Sequence, residues 1–203
     1  MRLLKDQDLS NKNVVLRLDL NVPIQDKRVL DSTRIISSVS TIKYLINKNC
    51  KVLLLSHLGR PKEGEFDINF SIRPVAKKLS EILNLEIDLI DSIDSSDIFN
   101  TTQIQLLENL RFLTGEKDND DELGNQLANK GDVYIFDAFG TAHRKQASTY
   151  SAIKQAKSSC AGFLLEKEIN SLNKALTSIE NPFTAVIAGS KISTKLELIA
   201  HLN

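Results

Sequence analysis

The sequence predicts an α/β fold built on a parallel sheet, followed by the opening of a second α/β unit. Three observations lead there. Apolar, branched runs of strand length alternate with longer stretches whose apolar residues recur at helical spacing. Several of these runs pass into charged or amide residues at their carboxyl ends: VVLRLDLN into Asp19 and Asn21, KVLLLSHLGR into His57 and Arg60, QLLENLR into Arg111, and DVYIFDAFGTAHR into His143 and Arg144. At Asn181-Pro182 the chain breaks, and TAVIAGSKISTKLELI starts again as strand, glycine turn and helix. Strands of open α/β sheets deliver ligand-binding groups at their carboxyl ends, so a rim of cations facing one cleft is the expectation.

The organising stretch is Lys51 to Gly64, KVLLLSHLGRPKEG, whose first half suits the middle of a parallel sheet buried on both faces. Before it, Asn13 to Leu20 reads as a buried strand ended by Asn21 and Pro23 and by a polar turn through Asp26 and Lys27. Asp31-Ser32-Thr33-Arg34 opens a helix with a capping oxygen ahead of the apolar spacing Ile35, Ile36, Val39, Ile42, Leu45 and Ile46. This puts Arg34 in the first turn, where the helix amino end is already positive. Either it is a solvated surface arginine, or an anion is shared between it and the free backbone N–H groups.

Beyond the organising stretch, a polar loop from Glu63 to Asn69 precedes a helix over Ser71 to about Asn84, with Ser71 as cap and Pro74 tolerated in its first turn. Then come a short strand, EIDLI, a polar connection from Asp91 to Thr102, and the strand QLLENLRF. A helix over Asp120 to Lys130 leads into the strand DVYIFDAFG. Tyr150 to Gln155 reads as a short helix and Leu164 to Ser178 as a longer one. A lone βα unit cannot cover its own strand edges, so the segment after Asn181 reads as the start of a second domain.

Composition narrows the function classes. The formal net charge is zero, with 26 basic and 26 acidic residues in 203, so nothing global favours nucleic acid or an anionic membrane and anion binding must come from local clustering. Cys50 and Cys160 stand in no metal-like or CxxC pattern and read as buried thiols in a reducing compartment. MRLLKDQDL lacks a signal peptide's apolar core and no run reaches membrane-spanning length, so a cytoplasmic location is expected. No His, Cys, Asp or Glu spacing suggests a protein-held metal.

The segment AGSKISTKL fits neither the Walker pattern nor GxGxxG. It still offers a small turn at Gly189-Ser190, a helix amino end, and Lys191 and Lys195 four apart on one helix face. His57 and His143 could each act as a base, yet no serine or cysteine nucleophile pairs with either, so pairing with phosphate or carboxylate is the better use. Arg17, inside a strand, reads as a structural residue that snorkels or pairs with a carboxylate. Arg73 reads as structural, and Lys77 and Lys78 as a solvated helix face.

LRLDLNVP, DSTRI, SHLGRP, FSIRPVAKKLSEIL, LLENLRF, FDAFGTAHR and AGSKISTKL, in this order and spacing, closely resemble phosphoglycerate kinase, in its bacterial form given AGSK. The resemblance covers essentially all 203 residues. It implies a doubly wound, Rossmann-like domain over residues 1–164 that holds the phosphoglycerate, a linking helix over 165–181, and over 182–203 the first βα unit of a nucleotide-binding domain. It implies reversible phosphoryl transfer between 1,3-bisphosphoglycerate and ADP, giving 3-phosphoglycerate and ATP in glycolysis, with Mg2+ carried on the nucleotide and a monomeric enzyme. By the same likeness, Asp19, Asn21, Arg34, His57, Arg60, Arg111 and Arg144 bind substrate. Arg34 and Lys191 act on the moving phosphoryl group, and Lys195 meets the nucleotide phosphates. The family's adenine pocket and Mg-holding aspartate match nothing up to Asn203.

This chemistry suits the residue types, since phosphoryl transfer asks for positioning and charge stabilisation more than for covalent catalysis. Guanidinium forks match phosphate and carboxylate oxygens bidentately. Two other readings remain at this stage: an anion-binding module without catalysis, and a nucleotide-binding protein of Rossmann type, which the missing glycine fingerprints disfavour.

Overall fold

The computed structural model describes residues 1–177 together with Thr184 and Val186. The expected βα unit over 182–203, with Lys191 and Lys195, lies outside the described residues. The chain divides into two compact units, Met1–Glu166 and Lys167–Asn203.

In the first unit the strands are β1 (Asn13–Leu18), β4 (Lys51–Leu55), β5 (Ile87–Ile90), β6 (Ile104–Leu107), β7 (Val133–Asp137) and β8 (Ser159–Ala161). They form one sheet in the order β5-β6-β4-β1-β7-β8, every neighbouring pair parallel. A two-stranded antiparallel ribbon of β2 (Ile24–Gln25) and β3 (Arg28–Val29) stands apart from it. The helices are α1 (Thr33–Asn47), α2 (Arg73–Leu83), α3 (Asp121–Asn129), α4 (Ala152–Gln155) and α5 (Phe163–Thr177), the last running into the second unit.

The sheet is covered on both faces, as its unbroken apolar strands require. Leu16 and Leu18 of β1 and Val52 and Leu54 of β4 join Ile35, Ile42 and Leu45 of α1 and Val75 and Leu79 of α2 in one cluster. Val15 of β1 and Leu53 and Leu55 of β4 join Leu123 and Leu127 of α3 and Tyr134 of β7 in the other. The period of two is thus intact on the central strands β1 and β4. Beyond β4 the chain crosses to the edge strand β5, comes back to β6 between β5 and β4, and then moves to the far side of β1 for β7 and β8. That reversal opens a crevice at the carboxyl ends of the central strands.

Among the described residues the expected strands and helices are present, with differences that have local causes. The turn expected at Asp26 and Lys27 is a hairpin, both residues having positive φ (49° and 60°) as a primed turn demands. QLLENLRF leaves the sheet after Leu107, and Leu110–Phe112 form a 3-10 turn. At α2, Ser71 Oγ accepts from Arg73 N, the first helical residue (3.3 Å), and it does not cap alone. The buried Glu108 carboxylate joins it, accepting from Ile72 N (2.8 Å) and Ser71 Oγ (2.7 Å). At α1, Asp31 Oδ1 accepts from Thr33 N (2.8 Å) and Thr33 Oγ1 (2.6 Å), whereas Ser32 at the cap position makes no side-chain bond. The short helix before β8 begins as a π-turn over Ala147–Ser151. Strand β8, too short to show a pattern, was not expected from the sequence.

A buried carboxylate pins the two long helices to the sheet. Asp137, the last residue of β7, accepts from Thr41 Oγ1 of α1 (2.6 Å) and from Leu165 N in the first turn of α5 (2.8 Å). A Cβ on Gly162 would stand 2.2 Å from the Asp137 carboxyl carbon, so glycine is required there. The free thiols Cys50 and Cys160 are buried.

Candidate active site

The segments leaving β1, β4, β6 and β7 meet over the crevice, and buried amides hold them. Asn109, two residues beyond β6, accepts from Leu58 N (2.9 Å) and Arg111 N (3.0 Å) through Oδ1. Its Nδ2 donates to Leu58 O (2.8 Å) and Phe70 O (2.9 Å). One side chain therefore clamps the loops after β4 and β6 and fixes the backbone of Arg111. Asn21 Oδ1 accepts from Gly59 N (2.9 Å), and Ser56 Oγ accepts from Leu20 N (2.9 Å), joining the loops after β1 and β4. Gly59 has φ +60°, and a Cβ there would stand 2.5 Å from the Phe70 ring, so the turn that presents Arg60 needs glycine.

These loops gather most of the sequence-predicted residues. Asp19 Oδ2 accepts from Arg34 Nη1 at 2.5 Å, tying the first turn of α1 to the end of β1. Arg34 keeps about half of its side chain exposed. His57 is 2% exposed. Its proton affinity falls to about pKa 3, chiefly through burial and then through the positive fields of Arg17, Arg111, Arg144 and Arg34. Four guanidiniums from four segments thus bear on one neutral imidazole. Arg144 is half-buried after β7, while Arg60 is exposed and makes no ion pair among the described residues. His143 is exposed. Lys191 and Lys195 are outside the described residues.

Arg111 carries the clearest chemical signal. It is 7% exposed, and its Nη2 lies 3.4 Å from Gln146 Oε1. Its Nε is buried with no hydrogen-bond partner among the described residues. A buried guanidinium N–H without an acceptor is costly, and a carboxylate or phosphate oxygen would satisfy it.

Arg17 departs from its expected role. It neither snorkels nor meets a carboxylate directly. It is fully buried, and it donates from Nε to Ser148 Oγ (2.9 Å) and from Nη1 to the Leu18 carbonyl. Its Nη2 reaches His57 Nδ1 (3.4 Å). The cause is register: Arg17 shares the face of Val15, which packs toward α3, and there Glu116 supplies the compensating charge through Ser148. Glu116, Ser148, Asn109 and Gln146 carried no functional signal in the sequence. Glu116 in particular lies in the polar run TGEKDND, which reads as a surface loop. Among the described residues, no group of three or more His, Cys, Asp or Glu could hold a metal ion, and no helix is long and apolar enough to cross a membrane.

Comparison with known proteins fits this geometry. The family model described as phosphoglycerate kinase matches residues 4–203. A phosphoglycerate kinase of Francisella tularensis subsp. novicida is 47% identical over 200 residues, covering 98% of this chain and 51% of that protein. One of Desulfovibrio desulfuricans is 45% identical over 199 residues with the same coverage. Among solved structures, phosphoglycerate kinase from Coxiella burnetii superposes with a TM-score of 0.90 at 40% identity, and that from Pyrococcus horikoshii with 0.85 at 31%, each covering 98% of this chain and 51% of theirs. The chain spans about half the length of the curated relatives it matches. With a family match running from residue 4 to the last residue, over strands whose polar ends converge on one crevice, the chain belongs to the phosphoglycerate kinase family.

Proposed function

We propose that the chain is the substrate-holding half of a phosphoglycerate kinase, which moves a phosphoryl group reversibly between 1,3-bisphosphoglycerate and ADP to give 3-phosphoglycerate and ATP. On this reading residues 1–164 bind the phosphoglycerate, 165–181 link the halves, and 182–203 open the nucleotide domain, in a monomeric cytoplasmic enzyme. The observation that carries it is the buried, unpartnered Nε of Arg111 beside a neutral His57 ringed by arginines.

Each residue then has a task set by its chemistry. Arg60, Arg111, Arg144 and His57 anchor the anionic groups. Asp19 and Asn21 meet the hydroxyl and backbone of the glycerate, and Arg34 stabilises the migrating phosphoryl group. The accepting carboxylate of 3-phosphoglycerate is ionised at neutral pH, so no general base is required, in keeping with a His57 that stays unprotonated. Lys191 and Lys195 would act from the nucleotide side. The Mg2+ that accompanies ADP or ATP supplies charge neutralisation there, and no described residue of this chain is assigned to it.

The test is to titrate the chain with 3-phosphoglycerate, without nucleotide. Binding is expected by calorimetry or chemical shift, and no response at millimolar concentration would sink the reading. Arg60 is exposed in the free chain, so the bound anion must bury the pair it forms; Arg60→Ala is then expected to weaken binding by about 2–5 kcal/mol, the range for truncating one partner of a buried charge pair. Arg60→Lys should recover only part of it, because a point charge lacks the fork. Equal affinity of the lysine variant and the parent would make Arg60 a surface charge.

Arg111→Met separates binding from stability. It removes a buried charge that lacks a full set of partners, so the ligand-free chain should gain ~1 kcal/mol, or about 2–4 °C in Tm. Affinity for 3-phosphoglycerate should fall at least roughly a hundredfold, the lower part of the range for truncating a buried charged contact. A lowered Tm together with unchanged affinity would assign Arg111 to the fold alone.

A further inference from the structure

Behind the crevice lies a hydrogen-bonded chain that the transfer chemistry does not call for. Glu116 and Ser148 are both fully buried. Glu116 Oε1 accepts from Ser148 Oγ (2.6 Å) and Oε2 from Ser148 N (2.9 Å). Ser148 Oγ in turn accepts from Arg17 Nε (2.9 Å), and Arg17 Nη2 reaches His57 Nδ1 (3.4 Å). Tyr134 Oη donates to Ser148 O (2.6 Å), and Ala147 N donates to Glu116 O (2.9 Å), so the π-turn over Ala147–Ser151 is held at both ends of the contact.

The direction of every link follows from donor chemistry. A guanidinium only donates, so Ser148 Oγ must accept from Arg17 and turn its own proton to Glu116. By the same rule His57 Nδ1 must accept from Arg17, which leaves the neutral ring's proton on Nε2. His57 Nε2 has no hydrogen-bond partner among the described residues. A carboxylate thus sets the tautomer of a histidine two side chains away.

We propose that Glu116 is a positioning residue of the crevice: through Ser148 it holds Arg17 against His57 Nδ1, so that His57 offers an Nε2–H donor to the bound anion. The proposal rests on the reading that the crevice takes 3-phosphoglycerate. A buried ion network placed for stability alone would be a poor investment, since well-packed apolar residues of similar volume do as well or better. The charges that face His57 are Arg17 of β1, Arg34 of α1, Arg111 beyond β6 and Arg144 beyond β7. Burial and these cations together keep the ring neutral, and Arg17, the one of them within reach of Nδ1, also decides its tautomer.

The experiment is two-bond proton–nitrogen correlation of the imidazole rings in the histidine-labelled chain, with His57 assigned by His57→Gln, followed by titration of 3-phosphoglycerate. The parent should show the Nε2–H tautomer of His57 across neutral and mildly acidic pH. Ser148→Ala removes one hydroxyl and no charge. It should give a mixture of tautomers and binding weaker by roughly tenfold or more, the scale for a hydrogen bond to a charged group. Glu116→Gln should do the same, and if that variant fails to fold, Ser148→Ala decides alone. An Nδ1–H tautomer in the parent overturns the proposal, as does a Ser148→Ala chain that keeps the parent's tautomer and affinity. A parent with the Nε2–H tautomer, mixed in the variants, but no response to 3-phosphoglycerate upholds the positioning chain and overturns only the choice of ligand.

Discussion

Arg34→Ala is expected to lower kcat by roughly 10²–10⁵ in a phosphoglycerate kinase carrying this chain as its substrate-binding half, the range for oxyanion donors and arginine fingers. Arg34 lies in the first turn of α1, where the helix field opposes a cation, and in the ligand-free chain it leans on Asp19 at 2.5 Å. The side chain is half exposed, so it is free to exchange this carboxylate for a more highly charged phosphoryl group. A cation that acts mainly in the transition state lowers kcat when removed, whereas an anchor raises KM. Lys191→Ala should behave in the same way from the nucleotide side. Both should change 3-phosphoglycerate affinity less than Arg60→Ala does. Steady-state kinetics with affinity measured separately decides it: a kcat within a factor of a few of the parent would move Arg34 among the anchors.

His57 is expected to impose a steep acid limit on stability, absent from His57→Gln. Its pKa is about 3 in the folded chain against 6.5 for an ordinary histidine, with burial the largest cause and Arg17 the next. In the window between these values the unfolded chain binds a proton that the folded chain refuses, so folding loses free energy as pH falls. The loss begins near 6.5, grows by up to about 1.4 kcal/mol per pH unit, and amounts to about 5 kcal/mol once pH 3 is reached. Above 6.5 the imidazole is neutral in both states and contributes no slope. Denaturant unfolding of the two chains from pH 7.5 to 4, in buffers free of phosphate, should show the parent losing stability relative to His57→Gln as the pH falls below about 6.5. Parallel curves would mean that His57 is protonated in the folded chain.

The strand ends were legible because a parallel sheet buried on both faces writes itself as short branched runs, and the change from Leu55 to His57 or from Leu18 to Asp19 marks where the backbone leaves the core. The first-turn position of Arg34 was legible for the same reason, from the apolar spacing that follows it. The groups that shape the crevice were not. Glu108 and Asn109 sit inside a run read as strand, yet they cap α2 and clamp two loops, and such cross-chain bonds leave no local pattern. Glu116 looks like any charge in a polar loop until the fold brings Ser148 against it over 32 positions of sequence. Arg17 reads from the sequence as a structural residue, and its partner Ser148 can be named only once β1 and the π-turn are in place.

The sheet order carries a consequence for how the chain is made. Strand β1 pairs on one side with β4, Val14 opposite Val52, and on the other with β7, Val14 opposite Val133. The second partner emerges 119 residues after Val14, or about 6–24 s later at roughly 5–20 residues per second of synthesis. Through that interval one full edge of the central strand, Val14 to Leu18, has no ladder to join, and such an edge is a template for any other strand. Arg144 follows β7, so the last cation of the crevice arrives only after the edge has closed. A nascent chain therefore gains its anion site and loses its most association-prone surface at the same stage of translation.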